Sequence, residues 1–256
     1  MTREIFIGHD AREQAAYDVC EYSIRKRASC DVKITALKSA DLIAQGLYSR
    51  PVEIRDGIMY DTISQAPQST DFANTRWLTP FLAKNQWSLF MDSDMLIMDD
   101  IDNLFELCDD RYAVMCVKHS YEPEFTEKMD GQIQTQYPRK NWSSFVLFNK
   151  LHPANQRLTS RLINSMPGKH LHAFCWLDDN EIGALPEEWN WLEGHSKASS
   201  PISNIHFTRG GPWFPQCQDV GYADIWLRER DNMLGKIGKY NIVNPVENGH
   251  DINIDC

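Results

Sequence analysis

An apolar run, Trp87-Ser88-Leu89-Phe90-Met91, breaks off at Asp92-Ser93-Asp94, and few topologies accommodate such a junction. A five-residue stretch of this kind suits a central strand buried on both faces, as in a parallel sheet. The polar triplet then falls at the carboxyl end of that strand, where open α/β sheets collect their ligands. Two carboxylates one residue apart can converge on a single hard divalent cation, directly or through water. The competing reading is a solvated turn, because Asp and Ser favour turns. Asp100-Ile101-Asp102 repeats the spacing and is assigned to capping a short helix over residues 101–107; the first triplet is set apart by the strand that leads into it.

The flanking segments extend this layout. Ile5-Phe6-Ile7-Gly8 forms a short buried strand that ends in the turn His9-Asp10-Ala11-Arg12. A helix is expected over residues 13–28, with Ala16, Tyr17, Cys20 and Ile24 on one face. Asp31-Val32-Lys33-Ile34-Thr35-Ala36-Leu37 alternates as a second strand does. Strand, helix, strand in that order implies a right-handed crossover. Further helices are expected over residues 71–85, where Pro80 starts or kinks the element, and over 155–165 and 220–233. Ala113-Val114-Met115-Cys116-Val117 and Ser144-Phe145-Val146-Leu147-Phe148 are further strands. Residues 120–141 are polar and aperiodic, and so long a stretch is a candidate acceptor-contacting loop or a surface insertion. The expected class is α/β: a mostly parallel central sheet flanked by helices, in a single domain.

Composition narrows the function. With 256 residues, 42% hydrophobic and 24% charged, the chain can bury one large core and is not disordered. Its 26 basic and 36 acidic residues give a charge of −10, which disfavours nucleic acid but not a small anion held by local cations or a metal. Seven cysteines without a Cys-x-x-Cys pair argue against a zinc ribbon and a secreted disulfide framework. Met1-Thr2-Arg3-Glu4-Ile5-Phe6 lacks the apolar stretch of a signal peptide, and no apolar run approaches bilayer length. A reduced, soluble, cytoplasmic protein without a membrane span is the expectation.

Thr75-Arg76-Trp77-Leu78-Thr79-Pro80-Phe81-Leu82, then Leu89-Phe90-Met91-Asp92-Ser93-Asp94-Met95-Leu96, resembles the Arg-bearing helix and strand that run into the metal motif of glycosyltransferase family 8. Three later segments follow in that family's order. Ser143-Ser144-Phe145-Val146-Leu147-Phe148-Asn149 is similar to its Asn-Ala-Gly strand. Asp178-Asp179-Asn180-Glu181-Ile182-Gly183, with Leu185-Pro186-Glu187-Glu188-Trp189-Asn190, resembles its Asp-Gln-Asp helix and Leu-Pro-x-x-Trp-Asn. Ile205-His206-Phe207-Thr208-Arg209-Gly210-Gly211-Pro212-Trp213 is similar to its late His-containing loop.

The resemblance implies a GT-A fold that binds a nucleotide sugar with Mn²⁺ or Mg²⁺ and transfers a hexose with retention, a UDP-sugar being the family expectation. Asp92, Asp94 and His206 become the metal ligands, and the imidazole favours Mn²⁺ over Mg²⁺. Gly8 and Asp10 fall where the nucleoside lies; Asp10 read alone is equally a turn cap. Arg76 reaches the donor, with Ser93, Ser143, Ser144, Arg209, Gly210 and Gly211 as further donor contacts. Asp178 and Asp179 orient the sugar and shield charge at the anomeric carbon, or else cap a helix. Trp213 is expected near the site, Trp189 and Trp191 in the core, and His170 and His172 at the surface. The acceptor is a glycan, lipid or protein. Residues 1–256 form one domain: a nucleotide-binding half to about residue 118, a donor-sugar and acceptor half over about 119–240, and a tail over 241–256.

Two positions depart from the family. Gly211 stands in place of Lys, with Arg209 as the substitute cation, and Trp142 stands in place of Asn. Two other readings compete: a sugar-phosphate nucleotidyltransferase, which needs a Gly-rich phosphate loop that Gly8-His9-Asp10-Ala11-Arg12 matches poorly, and a nucleotide-sugar or glycan-binding protein without turnover.

Overall fold

Ile5, Phe6 and Ile7 are all buried, and they face opposite ways: Phe6 packs into one apolar cluster, Ile5 and Ile7 into another. This two-sided burial explains why the central strands are continuously apolar. A computed structural model describes residues 2–120, 139–197 and 201–235. β1 (Arg3–Gly8) leads through a 3-10 turn, Ala11–Glu13, into α1 (Gln14–Arg27), and the chain returns as β2 (Val32–Leu37). After α2 (Ser39–Ala44) comes an antiparallel meander of β3 (Val52–Arg55), β4 (Ile58–Asp61) and β5 (Ala66–Pro67). A 3-10 segment, Thr75–Leu78, continues into α3 (Thr79–Leu82), then β6 (Trp87–Met91), β7 (Met95–Ile97), α4 (Ile101–Phe105) and β8 (Val114–Cys116). The rest comprises β9 (Phe145–Asn149), α5 (Ser160–Ser165), α6 (Gly168–His172), β10 (Ile182–Ala184), β11 (Trp191–Leu192), β12 (Asn204–His206) and α7 (Ala223–Met233).

The main sheet runs β10-β8-β9-β6-β1-β2. β1 is parallel to β2 and β6, and β8 is parallel to β10; β9 alone runs against its neighbours. The class is therefore mixed α/β with a mostly parallel central sheet flanked by helices, as the strand–helix–strand order implied. A second sheet, β11-β12-β7, is built from the segment that leaves the Asp triplet and from late strands. It packs through Leu96, Trp191, Ile205 and Phe207 against Val19 of α1 and Trp226 of α7. No helix among the described residues is long and apolar enough to cross a membrane.

Several expected helices are shorter than their patterns. Over residues 71–85 the chain forms only the 3-10 segment and α3, with Pro80 in the first turn of α3, where its missing N–H costs nothing. Residues 155–165 divide because Thr159 starts a new helix: its hydroxyl accepts from Leu162 N at 3.1 Å. Asp100 caps α4 as expected, accepting from Asp102 N at 3.0 Å. The expected tail over 241–256 and most of the polar stretch 120–141 lie outside the described residues.

Candidate metal centre

Backbone pairing carries the Asp triplet to its place. Met91 ends β6 opposite Phe145 of β9, and Asp92 N donates to Ser144 O at 2.9 Å. Ser93 turns inward and is buried, while the Asp92 and Asp94 side chains on either side keep partial access to solvent. Directly after the turn, β7 pairs with β12 so that His206 lies opposite Met95, and Phe207 N donates to Asp94 O at 2.9 Å. The register thus sets a buried imidazole beside the second Asp, with His206 Nε2 3.3 Å from Asp94 Oδ1. Asp92, Asp94 and His206 each offer a ligand atom, all within 4.8 Å of one another. Two carboxylate oxygens and one imidazole nitrogen form a donor set that fits a divalent metal.

Beneath this group the sites expected to touch a donor are engaged with the protein. Arg76 is buried, donates to Ala73 O at 2.9 Å and Ser143 O at 2.8 Å, and sits 3.0 Å from Asp92 Oδ1 with its guanidinium over the Phe90 ring. These contacts tie it to the Asp92 turn. The Ser143 hydroxyl meets His172 Nδ1 at 2.7 Å, and the Ser144 hydroxyl donates to Asn141 O at 2.7 Å. Asn141 reaches that position with φ 64°, a left-handed conformation that Asn tolerates better than most residues.

Gly8 sits against Phe72: a Cβ there would overlap the Phe72 ring, so this close packing requires glycine. Asp10 is a cap and clamp: its carboxylate accepts from Arg12 N at 2.9 Å, from the Arg12 guanidinium at 2.6 and 3.0 Å, and from Asp71 N at 2.9 Å. Burial opposes its ionisation, but these hydrogen bonds outweigh burial and hold the carboxyl below its usual range. With both oxygens so engaged, little acceptor capacity is left for a sugar hydroxyl. Gly211 makes room for the Trp213 ring, and Gly210 takes a φ of 108°. Arg209 lies 3.8 Å from Glu193 and against Gly194. The Trp213 ring packs beside Phe207 and Trp226, with its indole N–H on Glu13 at 3.2 Å. Trp189 and Trp191 are core residues, as expected.

Asp178 and Asp179 stand apart from the three converging side chains. They are 78% and 91% exposed, Asp179 paired with Arg139 and Asp178 3.8 Å from Arg157. Their turn leads into Ile182, which is level with Val114, Phe148 and Ser88 across the sheet. Ser88 precedes Asp92 by four residues of β6, about 13 Å at a strand's rise.

Four residues that the sequence patterns left without a role surround the centre. Asn190 is fully buried, with Oδ1 2.8 Å from His206 Nδ1. His172, expected at the surface, is packed edge-on against Trp77. Its burial, reinforced by the charges of Arg76 and Arg50, pushes the imidazole well below its ordinary value, so it is neutral. His119 follows β8 at the same edge of the sheet, its Nε2 buried and without a hydrogen-bond partner among the described residues. Burial, with a smaller effect from His206, lowers His119 to about 4. Asn141 completes the set through its carbonyl. Only Asn190 carried a signal in the sequence, as the last residue of Leu-Pro-x-x-Trp-Asn; the others are placed by contacts distant in the chain.

No protein-family model matches the chain. Protein CDI of Arabidopsis thaliana is 46% identical over 233 residues, spanning 89% of this chain and 85% of that protein. Among solved structures, the WbbM bifunctional glycosyltransferase superposes with a TM-score of 0.59 at 15% identity over 90% of this chain. The match covers 50% of the WbbM chain, so this protein spans half its length. The galactosyltransferase LgtC, solved with donor and acceptor sugar analogues, gives a TM-score of 0.53 at 12% identity over 90% of this chain and 95% of its own. What is shared with both is the GT-A glycosyltransferase architecture.

Proposed function

The chain belongs to the family of Arabidopsis thaliana Protein CDI, and on that premise we propose that it is a metal-dependent glycosyltransferase of the family 8 type. One observation carries the reading: Asp92, Asp94 and His206 converge at the carboxyl edge of a sheet with GT-A architecture. The proposed reaction moves a hexose from a nucleotide sugar, taken as a UDP-sugar, to a glycan, lipid or protein acceptor, with retention by same-face attack. Residues up to about 118 are assigned to the nucleotide, about 119–240 to the sugar and acceptor, and 241–256 to a tail.

A divalent metal, Mn²⁺ before Mg²⁺, would be held by Asp92, Asp94 and His206 and would neutralise charge on the departing nucleoside diphosphate. Arg76 keeps the Asp92 turn in register from below. Ser93, Ser143, Ser144, Arg209, Gly210 and Gly211 are the proposed further donor contacts. Asp178 and Asp179 remain the proposed sugar-orienting pair, which requires a donor to draw Asp179 from Arg139. Galactosyl transfer is what the name of LgtC describes, and it supports a hexose here.

The reading is tested by incubating the protein with a panel of nucleotide sugars and Mn²⁺, following nucleoside diphosphate release and thermal stabilisation. Metal-dependent release of nucleoside diphosphate is expected, together with a rise in melting temperature that needs both ligands. Undiminished turnover in EDTA would contradict it. Pyrophosphate as product would point to nucleotidyl transfer, and tight binding without release to a non-catalytic role.

A further inference from the structure

We propose that Asn190 is a positioning residue that locks His206 in a single tautomer and ties it to the Asp92 turn, so that the two chain-distant halves of the metal centre act as one. The inference deepens the metal-dependent reading and rests on it for its consequence, though not for its geometry. Asn190 ends the 3-10 turn Glu187–Asn190 and is fully buried. Its Nδ2 lies 3.3 Å from Asn141 O and 3.0 Å from Ser144 Oγ. A carbonyl can only accept, so the group facing Asn141 must be the NH₂ of the amide. The amide oxygen is then committed to the other side, 2.8 Å from His206 Nδ1.

That oxygen can only accept as well, so His206 Nδ1 carries a proton, and in the neutral ring it is Nε2 that presents the lone pair. Nε2 is the nitrogen 3.3 Å from Asp94 Oδ1. In that form Nε2 and Asp94 Oδ1 are neighbouring acceptors, a pair that a metal cation or a second imidazole proton would satisfy, and neutral imidazole with its far N–H anchored is the form that ligates metals. The same amide reaches Asp92. Ser144 receives the Nδ2 hydrogen bond on its hydroxyl, and its carbonyl accepts Asp92 N at 2.9 Å. From His206 through Asn190 and Ser144 to Asp92 runs a continuous chain of polar contacts, and the Asn141 carbonyl fixes which end of the Asn190 amide faces His206.

The test combines two readouts. In the full-length protein without metal, a histidine side-chain ¹H–¹⁵N correlation spectrum should show the His206 proton on Nδ1, with a His206→Gln variant giving the assignment. Mn²⁺ affinity, titrated by the electron paramagnetic resonance signal of free Mn²⁺, should fall about 10- to 100-fold in Asn190→Ala, as losses of such supporting groups do. Asn190→Leu keeps the side-chain bulk but offers His206 no acceptor, so it should lose affinity as Asn190→Ala does, a loss that a mere packing role would not give. If Asn190→Ala fails to fold, Asn190→Leu and the parent spectrum still decide the matter. A His206 proton on Nε2, or unchanged Mn²⁺ affinity in a folded Asn190→Ala, would overturn the proposal. A parent protein that binds no Mn²⁺ would defeat the functional reading instead, leaving the tautomer spectrum to judge Asn190.

Discussion

Two acidic pairs stand out in this chain, and the fold treats them differently. Asp92 and Asp94 flank a buried serine at a strand end, and both reach the space that His206 closes from a second sheet. Asp178 and Asp179 are adjacent on an exposed turn, each matched with an arginine from a different element. Spacing accounts for much of the contrast. Residues two apart in near-extended chain project to one side, whereas immediate neighbours project to opposite sides. The first pair can therefore converge on one point in space, whereas the second is held apart by its arginine partners.

The largest effect should come from removing a member of the first pair. Asp94→Ala is expected to abolish detectable Mn²⁺ binding and lower kcat/KM by about three orders of magnitude, equivalent to several kcal/mol of lost charge stabilisation. If transfer by Asp94→Ala were near normal, the two pairs would not differ in the way proposed.

Acid should expose the next difference, because two part-buried histidines whose pKa is lowered, His119 and His172, lie near the first pair. His119 is lowered in the fold to about 4 from an ordinary 6.5, so on acidification the unfolded chain takes up the proton first. Stability on its account is fully present above pH 6.5 and is lost as pH falls toward 4, by at most about 3 kcal/mol. Urea denaturation across that range should show the loss, and His119→Gln should flatten it.

Asp179→Asn sharpens the comparison from the other side. Mn²⁺ affinity should stay at the parent value while kcat falls about 10- to 100-fold, the range for a group that acts on the sugar. Equal kcat in variant and parent would leave the second pair as a surface feature. The smallest effect belongs to Arg157→Ala: its carboxylate partners sit on the exposed turn, and exposed pairs of this kind contribute under about 1 kcal/mol. A large drop in melting temperature would show that the turn matters more than its exposure suggests.

Much of the scaffold was legible before any coordinates. The strands at Ile5–Gly8, Trp87–Met91 and Ala113–Val117 were plain because parallel strands buried on both faces must be apolar throughout. The helices over residues 71–85 and 155–165 were overread, since apolar periodicity does not register where Pro80 or Thr159 restarts the backbone. The capping role open to Asp10 could be read from its turn, whereas the Phe72 ring against Gly8 and the Asp71 N–H on Asp10 come from residues more than sixty positions away and meet them only in the folded chain. His172 was misplaced at the surface because nothing in its neighbours indicates the Trp77 ring it packs against.

Local chain chemistry was enough to establish an α/β sheet, an acidic turn at the end of a buried strand and a late histidine of matching character. Folding alone decided that His206 faces Asp94, that Arg76 supports Asp92, and that Asn190 spans the gap between them. The reason is physical. Strand burial and turn preference depend on a few consecutive residues, whereas a shared ligand position depends on strand register and side-chain hydrogen bonds between segments that only the closed core brings within reach.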